Sequence, residues 1–280
     1  MCGGVVIVGA GPSGLLLAHL ILSNPRPQLL PVRIFESRSD PSLPIPTYKT
    51  RQYCVGLSAR GRDAISHVDN LWEAVQEKGV PTSQFVIHTG SRSIPLKRNP
   101  EKPSLLINQR LLAGTLISEL RSRYPQDQLE ILFEKRCVWA DFDAHTVTFG
   151  SRNEEPTQYN LLVGADGVRS TVREEFIRQR GFNYQQINMP YTFKVLNVSR
   201  PRDLSPNAVH TFRRSKEEIE GNQSWFSFLN FLGRARGSSV RYGCFPALGD
   251  EMSVLIEWTP SSTPKDLLKI ISPIEVLSQT

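Results

Sequence analysis

Apolar residues fall into short unbroken runs and amphipathic stretches through the first two thirds of the chain, and into β-type runs in the last third. Val5–Val8 is an unbroken apolar run of buried-strand length, and a helical pattern begins near Ser13. A second apolar run, VRIF, spans 32–35, and residues 24–50 carry many prolines, which predicts irregular connections around it. Between Ser58 and Gly79 the residues Ala64, Ile65, Val68, Leu71, Trp72 and Val75 recur at helical spacing. This predicts one helix, stopped by Gly79 with Pro81 beyond it. QFVIHT (84–89) and RSIPL (92–96) read as a short hairpin, and NQRLLAGTLISELRSRY (108–124) as an amphipathic helix closed by Pro125. LEILFE, RCVWADFD and HTVTFG follow as three strands, then YNLLVGADGVRSTVREEF as a strand, a glycine turn and a helix. From Phe182 the runs YTFKVLNV, AVHTF, WFSFLNFL, VRYGCFPA and MSVLIEW predict a separate antiparallel sheet, and a last helix begins near Pro264. The pattern as a whole is α/β, a Rossmann-like parallel-sheet domain joined to a second, mainly antiparallel β domain.

The opening run is about long enough for a membrane span, but Gly9, Gly11, Pro12, Ser13 and Gly14 interrupt it. No Lys or Arg precedes it and no small-residue cleavage site follows, which argues against a signal peptide or anchor. Gly9-x-Gly11-x-x-Gly14 between a strand and a helix fits a dinucleotide fingerprint. Gly9 permits the tight turn, Gly11 lets the backbone approach a pyrophosphate, and Gly14 allows close helix–strand packing. Glu36 ends the second strand 22 residues after Gly14, near the spacing of about 20 expected of a ribose-binding carboxylate. An acid there suits a free 2′-hydroxyl, as in FAD or NAD, better than the phosphate of NADP. The competing reading is a solvated loop residue. Asp166 ends the later strand of YNLLVGAD, where α/β sheets place ligands; it either contacts a ligand hydroxyl or caps the helix after it, and the two are compatible.

Composition narrows the function classes. The charge is +6, but the basic residues are dispersed in short loops without interleaved aromatics, which argues against nucleic-acid binding. Cys2, Cys54, Cys137 and Cys244 are far apart, and neither they nor the five histidines show metal-ligand spacing. No metal is expected, the thiols read as reduced, and the expected location is intracellular, cytoplasmic or organellar.

GAGPSG at the front, LSARGRDAI, GVPTSQFVIHT, LLVGADGVRSTVR and FNYQQINMPY occur in that order. With these motifs the chain resembles the aromatic-ring hydroxylase flavoproteins, the p-hydroxybenzoate-hydroxylase-like monooxygenases, and most the kynurenine 3-monooxygenase branch. The resemblance implies FAD as cofactor, NADPH or NADH as co-substrate, and O₂ with an aromatic small molecule as reactants. It implies an FAD-binding domain over 1–80 and 104–181 and a substrate domain over 81–103 and 182–280. Gly9, Gly11, Pro12, Ser13, Gly14 and Glu36 would hold the ADP half of FAD. Arg51 matches an arginine ahead of the LS-x-RG stretch that helps bind the cofactor. Gln109, with Arg110 beside it, matches a helix-opening residue that contacts FAD. Asp166 and Gly167 match a DG motif serving FAD and NAD(P)H, with Arg173 its trailing arginine.

Two departures bear on function. Where the kynurenine branch holds a substrate carboxylate with an arginine, this chain has Phe85, and where the next strand carries a tyrosine, Leu96 or Lys97 stands nearest. A phenyl ring cannot replace a bidentate guanidinium, so a more apolar or differently charged aromatic is expected. His88, Tyr191 and Lys194 are further candidates on the substrate side, each with a packed or surface role as the alternative; no catalytic acid or base is assigned. The family's later GDAAH motif has no match through Thr280, and Gly249-Asp250 falls between two predicted strands. The expectation is an FAD-dependent aromatic monooxygenase represented without its last segment. The alternative is a catalytically impaired flavoprotein-fold protein that binds nucleotide or a partner without turnover. Oligomeric state is not readable.

Overall fold

In the computed structural model of the chain, residues 3–44, 53–89, 92–97, 103–213 and 241–259 are described. The run WFSFLNFL, the helix expected near Pro264 and Arg51 lie outside them.

The first strand forms where the apolar run predicts it. β1 (Val5–Val8) is buried along its whole length. α1 (Pro12–Ser23) starts with proline at its first turn, where the absent N–H costs nothing. β2 (Val32–Phe35) follows. β3 (Cys54–Leu57) leads into α2 (Ala59–Ser66) and α3 (Leu71–Gln76). The single helix expected over 58–78 is thus two. Asn70 takes the left-handed conformation, φ 58°, which asparagine tolerates and which no α-helix can contain. β4 (Val80–Thr82), β5 (Gln84–Thr89), β6 (Arg92–Lys97) and β7 (Ser104–Asn108) come next, then α4 (Gln109–Arg123). β8 (Leu129–Leu132), β9 (Cys137–Asp141), β10 (Thr146–Phe149), β11 (Thr157–Gln158) and β12 (Leu161–Gly164) precede α5 (Thr171–Arg178). β13 (Thr192–Ser199), β14 (Ala208–Arg213), β15 (Arg241–Ala247) and β16 (Glu251–Trp258) complete the described elements. No helix among the described residues is long and apolar enough to cross a membrane.

Contacts divide the chain into two units. The first comprises 1–45, 60–78 and 109–186. Its parallel sheet has the order β12-β1-β2-β8, and a three-stranded antiparallel sheet has the order β11-β10-β9. Phe35 of the one sheet stacks on Phe149 of the other with centroids 3.7 Å apart, inside a cluster that includes Val6, Val8, Cys137, Val147 and Val172. α1 packs on α4, burying Leu15 and Leu22 on one helix and Leu116 and Leu120 on the other. Each such leucine contributes roughly 1.5–3 kcal/mol of hydrophobic stabilisation.

The second unit comprises 46–59, 79–108 and 187–280. Its main sheet has the order β13-β16-β15-β14-β5-β6, antiparallel except for the parallel pair β14–β5. A small antiparallel sheet, β3-β7-β4, lies in the same unit. Segments 54–57 and 104–108, on the first-domain side of the boundaries read from the sequence, therefore group with the second unit, because they pair with each other and β7 with β4. The core of this unit gathers Phe212, Tyr242, Cys244, Met252, Val254, Ile256 and Trp258 on one face of the main sheet.

Candidate functional site

All four strands of the parallel sheet run the same way, so their C-terminal ends share one edge. Val8 is in register with Gly164 on one side and with Phe35 on the other. The glycine turn, Glu36 and the Ala165–Asp166 corner therefore leave the sheet side by side. Gly9 N donates to Phe35 O at 2.8 Å, and Ala165 N donates to Val8 O at 2.7 Å. Gly9 has φ +109°, and a methyl there would stand 2.4 Å from Ala165 O and 2.9 Å from Asp166 N. The two glycine corners, 157 positions apart in sequence between Gly9 and Asp166, are thus in direct contact. A methyl at Gly14 would stand 2.2 Å from Gly9 O, so only glycine lets α1 sit on the turn.

Gly11 is different: a methyl there would meet no atom within 4 Å. It is the residue before α1, and no side chain caps that helix. An open backbone stretch therefore adjoins an uncapped helix N-terminus, which attracts a phosphate through free N–H groups and the helix dipole. Glu36 stands beside it. Its Oε2 accepts from Ala10 N at 2.9 Å, and its Oε1 accepts from Arg38 N at 2.9 Å and Ser37 Oγ at 3.1 Å. These bonds fix the carboxylate at the turn; Oε1 already accepts two, and Oε2, with one, keeps capacity for a ligand hydroxyl.

Asp166 binds the start of α5. Its Oδ2 accepts from Thr171 N at 2.6 Å, and its Oδ1 accepts from Ser170 Oγ. Ser170 Oγ in turn accepts from Arg173 N at 3.0 Å. Asp166 thus binds the first amide of α5 and the capping serine, a role compatible with a ligand contact. Gly167, at φ +79°, again leaves open space where a methyl would be. Arg173 donates to Gly167 O at 3.1 Å and lies 4.6 Å over the Tyr184 ring, so it braces its own turn. Gln109 and Arg110 open α4; Arg110 donates to Leu43 O, tying α4 to the loop after β2.

The second group of candidates lies in the other unit and is split between two sheet faces. Side chains alternate along β5, so Phe85 and His88 point to opposite faces. His88 stacks on Phe212 of the buried cluster at 4.2 Å. Its Nε2 is 3.0 Å from His210 Nδ1, and its Nδ1 is 2.9 Å from Ser93 Oγ. His210 Nε2 is 3.4 Å from Ser205 O, which only accepts. That carbonyl sets the direction of the chain: His210 carries its proton on Nε2, His88 donates to His210 Nδ1, and Ser93 donates to His88. Burial, followed by the charge of His210, brings the His88 pKa down to about 4, and burial also lowers that of His210. His210 and Ser93 were not singled out in the sequence; their only signal is one histidine in each of two β-runs.

Position 96, not 97, faces Phe85 across the β5–β6 ladder. Tyr191 lies outside the sheet, under the guanidinium of Arg241 at 4.6 Å. Arg241 also pairs with Glu257 at 3.0 Å. Lys194 is in register with Ile256 of the core face, and burial lowers the pKa of its ammonium. Gly249-Asp250 forms the tip joining β15 to β16, and Asp250 pairs with Arg200, 50 residues away in sequence.

A parallel sheet carrying two glycine corners, an uncapped helix and a carboxylate on one edge defines a dinucleotide-binding protein of Rossmann type. A family model for the NAD(P)-binding Rossmann-like domain matches residues 7–77, and one for the FAD binding domain matches residues 53–236. The chain belongs to this FAD-binding monooxygenase family. It is 28% identical over 206 residues to kynurenine 3-monooxygenase of Salinispora tropica, covering 72% of this chain and 44% of that protein. It therefore spans about half the length of the curated relatives it matches. Among solved structures it is similar to 2-methyl-3-hydroxypyridine-5-carboxylic acid oxygenase, with TM-score 0.67, 18% identity, and coverage of 94% of this chain and 60% of that one. It is also similar to pqsL of Pseudomonas aeruginosa, described as a probable FAD-dependent monooxygenase, with TM-score 0.64, 15% identity, and coverage of 92% and 61%. These two likenesses are of fold. The residues on the sheet edge fit FAD: Gly11 and Gly167 leave room against the backbone, and Glu36 offers carboxylate oxygens at the glycine turn.

Proposed function

We propose that the chain is the nucleotide- and ring-binding part of an FAD-dependent monooxygenase that uses NADPH or NADH to hydroxylate an aromatic small molecule. The observation that carries this reading is the direct contact of the Gly9 turn with the Asp166 corner, beside the Glu36 carboxylate. FAD, when bound, supplies electron transfer from the nicotinamide and activation of O₂. The chain supplies placement. The turn at Gly11 and the first N–H groups of α1 would hold the diphosphate. Glu36 would accept from a ribose hydroxyl and repel a 2′-phosphate, so the nicotinamide nucleotide is not the ligand of this turn if it is NADPH. Asp166 holds the second corner in place by accepting from Thr171 N and Ser170 Oγ, which leaves the Gly167 backbone for the cofactor.

The kynurenine-type substrate is altered, since Phe85 and Leu96 face each other where a carboxylate would need a cation. A second reading is a protein that binds the nucleotide without turnover. It keeps the nucleotide corners at Gly9 and Asp166 and assigns no acid or base to the chain. One experiment separates the two. The purified full chain is titrated with FAD, followed by quenching of flavin fluorescence, and then given NAD(P)H with a set of phenols and anilines. Saturable FAD binding with nicotinamide oxidation coupled to hydroxylated product supports the enzyme. FAD binding without product supports the second reading, and no FAD binding refutes both.

A further inference from the structure

A serine and two histidines of the second unit form a hydrogen-bonded line that the flavin reaction does not use. Ser93 on β6 stands directly opposite His88 on β5, and His210 lies two places along β14 from Phe212, which is in register with His88. Ser93 Oγ is 2.9 Å from His88 Nδ1, and His88 Nε2 is 3.0 Å from His210 Nδ1. The two imidazole centroids are 5.2 Å apart, so the rings meet edge to edge along that bond. Phe212 stacks on His88 at 4.2 Å with an interplanar angle of 11°, which sets the plane of the ring. The Ser205 carbonyl fixes the His210 tautomer, so His88 spends its Nε2–H on His210 and presents Nδ1 to the Ser93 hydroxyl. The Asp203 carboxylate acts on both rings, and its charge favours an imidazolium. His210 is 4% exposed, whereas Ser93 is exposed on the edge strand, within reach of a reactant from solvent.

We propose that Ser93 is a nucleophile toward activated esters, with His88 as its base and His210 as the residue that positions His88. A hydroxyl bonded to a base that a third group orients is the arrangement that activates serine. In the step, Ser93 Oγ forms a bond to the acyl carbon, and the bond from that carbon to the leaving oxygen breaks. The hydroxyl proton passes to His88 Nδ1 and then to the leaving oxygen, so no oxidant or reductant is needed. Burial lowers the His88 pKa to about 4, so the base is unprotonated at neutral pH but weak. A well-matched base gains roughly 100- to 10,000-fold; a weak one supplies less, and at least about tenfold is expected here. The step does not involve FAD, and its failure leaves the monooxygenase reading untouched.

The test incubates the full chain with 4-nitrophenyl acetate and follows acetylation of each serine by peptide mass spectrometry. Ser93 should react at least about tenfold faster than the other exposed serines, at a rate level from pH 8 to pH 6, because His88 stays unprotonated there. His88→Phe keeps a ring on Phe212 but no base, and should bring Ser93 down to the rate of the others. His210→Asn, whose amide oxygen replaces Nδ1 as acceptor, should keep most of the rate, and His210→Leu should lose it. Circular dichroism checks folding; where a variant is unfolded, the pH profile of the unaltered chain decides. Ser93 no faster than the other serines overturns the proposal, as does a folded His88→Phe that reacts as fast as the unaltered chain. A rate that climbs in proportion to hydroxide overturns it too, since it shows a hydroxyl without a base. An Asn variant as slow as the Leu variant overturns the positioning role of His210.

Discussion

His19 makes the first unit sensitive to acid in a calculable way. It sits on α1, fully buried against α4, with Nε2 3.0 Å from Leu116 O. A carbonyl only accepts, so the proton is on Nε2, and Nδ1 is left buried without a partner among the described residues. Protonation would place a charge on that buried nitrogen with no acceptor beside it among the described residues. Burial accordingly drops the pKa from 6.5 to about 4; the nearby Arg123 also lowers it, and the Leu116 carbonyl and Glu119 oppose the drop. The folded chain thus binds this proton more weakly than the unfolded chain. Stability from His19 is complete above pH 6.5, falls as pH drops toward 4, and levels off below it. The shift of about 2.5 units corresponds to roughly 3 kcal/mol, from 1.36 kcal/mol per unit, a sizeable part of a domain's stability. His88 and His210 add losses of the same sign in the second unit. The assay is urea unfolding at pH 7, 6, 5 and 4.5 of the unaltered chain and of His19→Gln, which keeps a donor for Leu116 O but does not titrate. The variant should show a visibly shallower fall in stability with acid. If both chains lose stability in parallel, the buried, partnerless Nδ1 is not what acid attacks.

The glycine turn supplies a paired contrast. Gly14→Ala should cost about 1–3 kcal/mol in thermal unfolding, because its methyl lands 2.2 Å from Gly9 O and α1 must move. Gly11→Ala should leave stability within about 0.5 kcal/mol, since its methyl meets nothing within 4 Å, while FAD affinity falls at least about tenfold. If Gly11→Ala binds FAD as well as the unaltered chain, the diphosphate does not approach that backbone. Asp166→Ala removes the acceptor of Thr171 N and Ser170 Oγ at the start of α5 and should lower stability by about 1 kcal/mol, measured by chemical denaturation; Asp166→Asn should recover part of it.

Local pattern carries a large part of this molecule. The apolar run at Val5–Val8, the spaced glycines and the acid ending the second strand define a strand–turn–helix unit whose chemistry is readable without coordinates. The same holds for VGADGVRS, because a tight turn needs glycine wherever it occurs. Alternation in the last third marks strands, and Gly249-Asp250 between two of them reads as a turn, as found. The break at Asn70 was hidden because the apolar positions on both sides keep helical spacing across it. The sheet of β3, β7 and β4 was hidden for another reason: its strands are three to five residues long, and β3 and β7 lie some 50 positions apart.

Periodicity reports which side of an element is apolar, since that depends only on neighbours along the chain. It does not report which apolar side is covered. Phe85 and His88 lie three residues apart on one strand, and sequence placed both near a substrate. The parallel pairing of β5 with β14, between positions more than 120 apart, turned His88 toward the core and left Phe85 on the open face. The contact between Gly9 and Asp166 has the same origin. Sequence determined two glycine corners; only the register of β1 with β12 brought them together, because strand pairing is a long-range choice made by the whole buried sheet.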